Sequence, residues 1–204
     1  MGSRIIGIGG PSGSGKSTLA ARLAGALSGG AVILSLDSYY FPLDHLTPAE
    51  RARCNFDHPD SLDWALFLSH LVALRGGQSV PEPVYRFDLH TRNTFTRHVT
   101  PAPFVVVEGI LALTRPDVRA VLDLKVYIET AGQECYRRRL YRDTVERGRS
   151  EESVEWQYYD TVQPMAASFV WPTRRYADVV VSGERGYDEP VKAVVAAAVT
   201  LPPT

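Results

Sequence analysis

Five short aliphatic runs, at residues 5–8, 31–34, 104–107, 124–128 and 179–181, are almost unbroken by polar positions. Runs of that length and β-branched content read as strands covered on both faces, as in a parallel sheet; a strand with one wet face would alternate. Between them, apolar residues recur at helical spacing near 16–27, 64–75, 131–146, 151–163 and 189–199. Strand and helix therefore alternate, and the expected fold class is α/β, with a doubly wound, mainly parallel five-stranded sheet and helices on both faces. Residues 81–85 and 94–100 break the rhythm. No helix-length segment separates them, so they are expected to form a β-hairpin, inserted at about 80–100 before the third core strand and able to cover a substrate. No internal repeat or low-complexity stretch intervenes, and Leu201-Pro202-Pro203-Thr204 reads as a frayed tail.

The 204 residues suit one well-cored domain, 1–204, rather than two. Lys and Arg total 22 against 23 Asp and Glu, a net charge of −1, so no global field draws the chain to nucleic acid or to a membrane surface. Any basic function must be local. Cys54 and Cys135 are the only cysteines and lack zinc-site spacing, which fits free thiols in a reducing compartment. The opening Met1-Gly2-Ser3-Arg4-Ile5 has no long apolar core, residue 6 is isoleucine where a myristoylation motif wants Ser or Thr, and the apolar run at 104–107 stops at Glu108. The expectation is a soluble, cytoplasmic protein.

Chemistry enters at Gly10-Pro11-Ser12-Gly13-Ser14-Gly15-Lys16-Ser17, a full match to G-x-x-x-x-G-K-[ST] between the first strand and the helix that starts at Thr18-Leu19. Glycines let successive backbone N–H groups converge on an anion, and the new helix points its positive end at the same spot. Lys16 can reach the β- and γ-phosphates, and the Ser17 hydroxyl can take one position on Mg²⁺. Binding of a nucleoside triphosphate follows, but the same loop serves motors, switches and small-molecule kinases.

Two acids stand directly after strands, where ligands of open α/β sheets bind: Asp37 and Glu108. Either can hold Mg²⁺, directly or through water, or accept the proton of an attacking hydroxyl; either could also be a turn or helix-cap acid. A basic cluster follows, Arg137, Arg138, Arg139, Arg142, Arg147 and Arg149. Arg138 with Arg142 and Arg139 with Arg142 are spaced to share a helix face, and Gly148 gives the segment a hinge. A solvated face or a nucleic-acid patch would use the same residues. Beside a phosphate loop the leading reading is a lid, at about 139–152, whose arginines neutralise a transferring phosphoryl group.

Longer blocks narrow the choice. They are Gly9 to Ser17, Asp37-Ser38-Tyr39-Tyr40, Asn55-Phe56-Asp57-His58-Pro59-Asp60, Pro83-Val84-Tyr85-Arg86-Phe87-Asp88-Leu89-His90-Thr91-Arg92, Glu108-Gly109-Ile110-Leu111, the stretch from Arg142 to Arg149, and Pro172-Thr173-Arg174-Arg175-Tyr176-Ala177-Asp178. In this order the chain resembles the uridine kinase (uridine–cytidine kinase) family, within the phosphoribulokinase/uridine kinase group of P-loop kinases, from about residue 5 to 181. The resemblance implies the P-loop NTPase fold and transfer of the γ-phosphoryl of ATP to the 5′-hydroxyl of uridine or cytidine. It implies Asp37 as catalytic base, Lys16, Arg142 and Arg147 at the transferring group, and Ser17, Glu108 and Asp37 around Mg²⁺. Gly10 to Thr18, with Arg147 and Arg149, would hold ATP, with GTP an alternative donor. Asp57, Arg139, Arg149 and Gln157 would face the ribose, and Tyr40, Phe56, Tyr85, Phe87, His90 and Ile110 the pyrimidine. Relatives assemble as homotetramers, so a homo-oligomer is expected, with no nucleic-acid or membrane partner.

Three departures bear on selectivity. Leu36 precedes Asp37 where a polar residue is usual, Arg86 and Asp88 change the charges beside the base pocket, and Ser182-Gly183-Glu184-Arg185-Gly186-Tyr187 differs from the Arg-Gly-x-x-Asn pattern that helps enclose adenine. A phosphoribulokinase-like or other small-metabolite kinase is the alternative, although a sugar phosphate offers no base for Tyr85 and His90 to read. A non-enzymatic nucleotide switch lacks support, since guanine-reading Asn-Lys-x-Asp is absent.

Overall fold

The computed structural model describes residues 2–201, so all but Leu201 of the expected frayed tail lies outside the described residues. Five strands, β1 (Arg4–Gly9), β2 (Ala31–Ser35), β5 (Phe104–Glu108), β6 (Leu124–Glu129) and β7 (Val179–Ser182), form one sheet in the order β2-β5-β1-β6-β7. Every pairing is parallel. Between β2 and β5 lie β3 (Val80–Arg86) and β4 (Thr91–Val99), an antiparallel pair that forms a separate sheet. The helices are α1 (Lys16–Ala26), α2 (Pro48–Arg51), α3 (Trp64–Arg75), α4 (Pro116–Ala120), α5 (Gly132–Tyr141), α6 (Glu151–Gln157), α7 (Gln163–Met165) and α8 (Asp188–Val199).

The unbroken aliphatic runs are explained by two cores, one on each face of the sheet. Ile5, Val105, Val107 and Tyr127 face one way and pack with Phe67, Leu71 and Leu74 of α3. Their neighbours Ile6, Ile8, Val106, Val126 and Ile128 face the other, against Leu19 and Leu23 of α1 and Val194 and Ala198 of α8. Because strand side chains alternate, a strand covered on both faces must be apolar at every position. Local signals set several helix starts: the Asp63 carboxylate accepts from the Leu66 N–H, the Ser150 hydroxyl from the Ser153 N–H, and Thr47 with Glu50 closes a capping box.

The hairpin is fastened by side chains rather than by a shared backbone ladder. Glu82, buried at 2% exposure, accepts from the Ser35 N–H and pairs with Arg97, which donates to the Ile33 carbonyl. Arg92 donates to the carbonyls of Tyr39 and Tyr40 and pairs with Asp63 at 3.3 Å. The hairpin runs three residues closer to its turn than the pattern indicated, and Thr100 falls outside it.

Two helical expectations change. The stretch expected as one helix over 131–146 is α5 followed by a widened π turn at Arg142–Glu146. The helix expected to stop at 163 continues as α7, a second and third π turn (Tyr158–Val162 and Ala166–Val170) and a 3₁₀ segment, Trp171–Tyr176. Pro164, which lacks an N–H and would usually end a helix, lies here in the first turn of α7, between the two π turns.

Leu23 is fully buried between α1 and the sheet. Leu23→Ala should cost about 2–5 kcal/mol, read as a lower urea midpoint at unchanged slope. Val199→Ala, at a position 65% exposed, should stay within about 0.5 kcal/mol.

Candidate active site

At the carboxyl ends of the parallel strands, β1 runs into the loop from Gly10 to Gly15 and α1 begins at Lys16. The loop closes on itself through the Ser14 N–H to the Pro11 carbonyl, 3.1 Å. Gly13 holds φ +80°, and a Cβ there would fall onto the Cys135 carbonyl oxygen of α5. Both the conformation and the close approach demand glycine. Lys16, only 7% exposed, folds its ammonium back to the Pro11 carbonyl at 2.8 Å. Burial pulls its pKa below the usual lysine value, against the opposing pull of Glu108 and then Asp37.

Glu108, the last residue of β5, accepts from the Ser17 hydroxyl at 3.1 Å and from the Ser35 hydroxyl at 3.0 Å. Burial, followed by repulsion from Asp37, raises its pKa, while Lys16 and the two serines oppose the rise. Asp37 sits in a one-turn 3₁₀ helix, Leu36–Tyr39, directly after β2. Two carboxylates and a hydroxyl are the hard oxygen donors that Mg²⁺ takes, and that ion needs few protein ligands because it keeps waters and phosphate oxygens. The residues fit the metal.

A cleft of ≈ 720 Å³ opens from this point. Ser12, Lys16, Ser17, Asp37, Tyr40, Phe56, Asp57, Tyr85, Phe87, His90, Glu108, Ile110, Arg139, Arg142, Arg147, Arg149 and Gln157, all singled out from the sequence, line it. Gly10, Pro11, Gly13, Ser14, Gly15 and Thr18 do not: they shape the loop from behind, and Pro11 lines a smaller cavity of ≈ 250 Å³ instead.

One end of the cleft is aromatic. Phe56 meets Tyr40 edge-on at 5.4 Å and stacks on His90 at 5.1 Å, and Tyr85 meets Phe87 edge-on at 5.3 Å. The Tyr85 hydroxyl is buried without a hydrogen-bond partner, and burial, with Asp37 next, raises its pKa, so it remains a neutral donor. His90 is held at φ +50° at the hairpin turn. Burial first, then Arg149 and Arg147, lower its pKa from 6.5, so the ring is neutral at pH 7 and offers one donor and one acceptor. Asp57 is buried nearby; burial raises its pKa while Arg139 opposes the shift.

The other end is cationic. Arg139 donates to the Ser12 hydroxyl and to the Gln157 side chain, each at 2.9 Å, and Arg149 donates to the same Gln157 oxygen. Arg147 lies over the Phe87 ring at 4.5 Å and joins the two ends. The expected shared face of Arg138 and Arg142 is not what the fold uses. Arg138 turns away to Glu134 and to the carbonyls of Ser14 and Gly183, and Arg137 pairs with Glu134 at the surface. Helical spacing alone could not separate Arg138 from Arg139: they are adjacent on α5, about 100° apart around it, yet one reaches Gly183 and the other Ser12.

Sequence reasoning assigned no role to Asp143. Its carboxylate, fully buried, meets four guanidiniums: Arg142 at 2.8 Å, Arg139 and Arg147 at 3.4 Å and Arg149 at 3.6 Å. An acid directly beside Arg142 in an arginine-rich run was the available signal. Glu146 and Gly109 also line the cleft without having been singled out, and Arg86 and Asp88, expected beside the base pocket, line it as a pair at 2.6 Å. The divergent segment at 182–187 packs on the phosphate loop: Glu184 accepts from the Ala131 N–H, and the Tyr187 hydroxyl stands where a side chain at Gly15 would project.

The chain matches the model of the Phosphoribulokinase / Uridine kinase family over residues 5–188. It is 45% identical to a uridine kinase of Lactobacillus johnsonii over 179 residues, 87% of this chain and 85% of that one. A uridine kinase of Brevibacillus brevis is 42% identical over 185 residues, 90% and 86% of the two chains. In fold, the chain is similar to phosphoribulokinase from Rhodobacter spheroides, with a TM-score of 0.62 at 15% identity over 88% of this chain and 70% of that one.

Gly13→Ala places a methyl group against backbone in a strained conformation. Binding of tripolyphosphate, measured by calorimetry, should weaken by about tenfold or more, and an unchanged affinity would show that the loop does not grip phosphate in this conformation.

Proposed function

Because the chain belongs to the phosphoribulokinase/uridine kinase family, we infer that it is a nucleoside kinase that transfers the γ-phosphoryl of ATP to the 5′-hydroxyl of uridine or cytidine, yielding UMP or CMP. One observation supports this above the others: a single cleft joins a base-sized aromatic pocket to a phosphate loop, with Asp37 between them. Asp37 lies close enough to act on Lys16 and Glu108 at one end and on Tyr85 and Asp57 at the other. A sugar phosphate would leave the Tyr85 hydroxyl and the His90 edge without a partner, which disfavours a phosphoribulokinase-like acceptor.

In this reading Asp37 accepts the 5′-hydroxyl proton as the new O–P bond forms and the bond to the departing ADP breaks. Lys16, Arg142, Arg147 and Arg149 draw charge from the phosphate oxygens, and the loop N–H groups orient them. Ser17 and Glu108, with Asp37 near, would hold Mg²⁺, which would supply positive charge against the charge developing on the phosphates. Asp57, Arg139 and Gln157 hold the ribose hydroxyls. Tyr85 and His90 address the pyrimidine edge, with Phe56, Phe87, Tyr40 and Ile110 around the ring. Residues 139–152 act as the lid, and residues 1–204 work as one unit. ATP is the expected donor, with GTP the alternative. In this reading the enzyme works in the cytoplasm as a homo-oligomer, a tetramer by likeness to the family. No described helix is long and apolar enough to cross a membrane.

ADP release by the purified protein should rise with uridine and cytidine and not with thymidine or ribulose 5-phosphate; a response confined to either of the latter would overturn the assignment. Asp37→Asn should lower kcat by about 10²–10⁴-fold with ATP affinity preserved, and parallel loss of both would remove Asp37 from the role of base.

His90 also sets a pH signature. Its lowered pKa keeps the ring neutral until the pH falls below 6.5. Once protonated it carries two donors and no acceptor, so it can still face the 4-oxo group of uridine but not the 4-amino group of cytidine. The ratio of kcat/KM for uridine over cytidine should therefore rise as the pH drops from about 7 to about 5, and His90→Gln should flatten the trend.

A further inference from the structure

Asp143 touches neither the aromatic pocket nor the phosphate loop, yet it is the most enclosed carboxylate of the molecule, with no solvent exposure. The widened π turn at Arg142–Glu146 buries it between α5 and α6. Four guanidiniums converge on it from positions before, within and after the turn. The chain then reverses at Gly148, φ +65°, and the Arg149 N–H donates to the Asp143 carbonyl at 3.0 Å, so backbone and side chain of one residue both hold the returning arginine. Four cations and one anion leave three positive charges facing the cleft.

Two physical effects of this carboxylate oppose each other. As a nearby negative charge it weakens the pull of the arginines on any anion in the cleft. As a common partner it holds in one place four like charges that would otherwise swing apart into solvent. Burial alone would push the Asp143 carboxyl up, but the hydrogen bond from Arg142 and the surrounding guanidiniums bring it below the ordinary aspartate value, so the charge is in place at any working pH. Arg147 has little else to hold it: its guanidinium meets Asp143 and the Phe87 ring.

We propose that Asp143 is a positioning residue for phosphate: it holds Arg142, Arg147 and Arg149 in a fixed array before the nucleotide arrives, while Arg139 is also held by its own partners Ser12 and Gln157, and this ordering outweighs the positive charge that it cancels. The proposal rests on the nucleoside kinase reading and deepens it. Preorganised donors gain more at a developing charge than mobile ones, because no reorganisation is left to occur during transfer.

Asp143→Asn keeps the shape and drops the charge, whereas Asp143→Glu keeps the charge and strains the shape. Tripolyphosphate and uridine are titrated separately by calorimetry against wild type and both variants, and kcat and KM are measured for uridine. With Asn, tripolyphosphate affinity and kcat should each fall about tenfold or more while uridine affinity stays within about threefold; with Glu, tripolyphosphate binding should recover at least in part. Tighter or unchanged tripolyphosphate binding by the Asn variant overturns the proposal, because the carboxylate would then act only as a competing charge. Equal damage by Asn and Glu, or loss of the fold in both, also overturns it and leaves Asp143 a packing role. Failure of the wild type to phosphorylate uridine would refute the nucleoside kinase reading instead, since tripolyphosphate binding does not depend on the acceptor.

Discussion

The cleft depends on the register of three parallel strands. β1 pairs with β5 so that Ile8 stands beside Glu108, and β2 pairs with β5 so that Ser35 stands on its other side. That alignment lets the Ser35 hydroxyl reach the Glu108 carboxylate and brings the loop after Gly9, the turn holding Asp37 and the end of β5 to one edge. A slip of one residue between β2 and β5 would turn Glu108 and Ser35 to opposite faces. The buried aliphatic side chains forbid the slip, because each face has its own set of partners on α1, α3 and α8. Packing thus fixes the chemistry, although none of the packed residues takes part in it.

Charge in the cleft is sorted too, although Lys16 stands with the acids and Asp143 with the arginines. Asp37, Asp57 and Glu108 lie on the side formed by the sheet edge and the segment after it, whereas Arg139, Arg142, Arg147 and Arg149 come from the helical segment opposite. Neither set would be stable alone in a partly desolvated space. Burial raises the pKa of Asp57 and Glu108, and burial pulls those of Arg147 and Arg149 down. Facing each other across the cleft, the two sets offset part of that strain. The remainder suits a ligand that carries hydroxyls at one end and many negative charges at the other.

Much of this was legible in the sequence, for identifiable reasons. Strands covered on both faces leave unbroken aliphatic runs, and a phosphate loop needs glycine and lysine at fixed spacing; both signals are local. The helical run after 150 was harder, because Pro164 looks like a stop, yet the run continues through it between two π turns. Arg138 and Arg139 are adjacent and chemically identical, and only the position of the phosphate loop decides which of them faces the cleft. Asp143 escaped for a related reason: a short acid in a charged stretch usually faces water, and its burial comes from a π turn that leaves no periodic trace.

The hairpin shares no backbone ladder with the main sheet and is anchored by a few side chains, among them Glu82 and Arg92. Phe87 and His90, which line the cleft from its tip, belong to neither core and can therefore change without disturbing strand register, whereas Tyr85 also packs against the core on the α3 side. On the nucleoside kinase reading, the hairpin is in effect a separate reading head mounted on a phosphate-handling engine. Within one family, new acceptors can then arise by redrafting about twenty residues of loop and ribbon, while the far larger investment in phosphate chemistry is inherited intact.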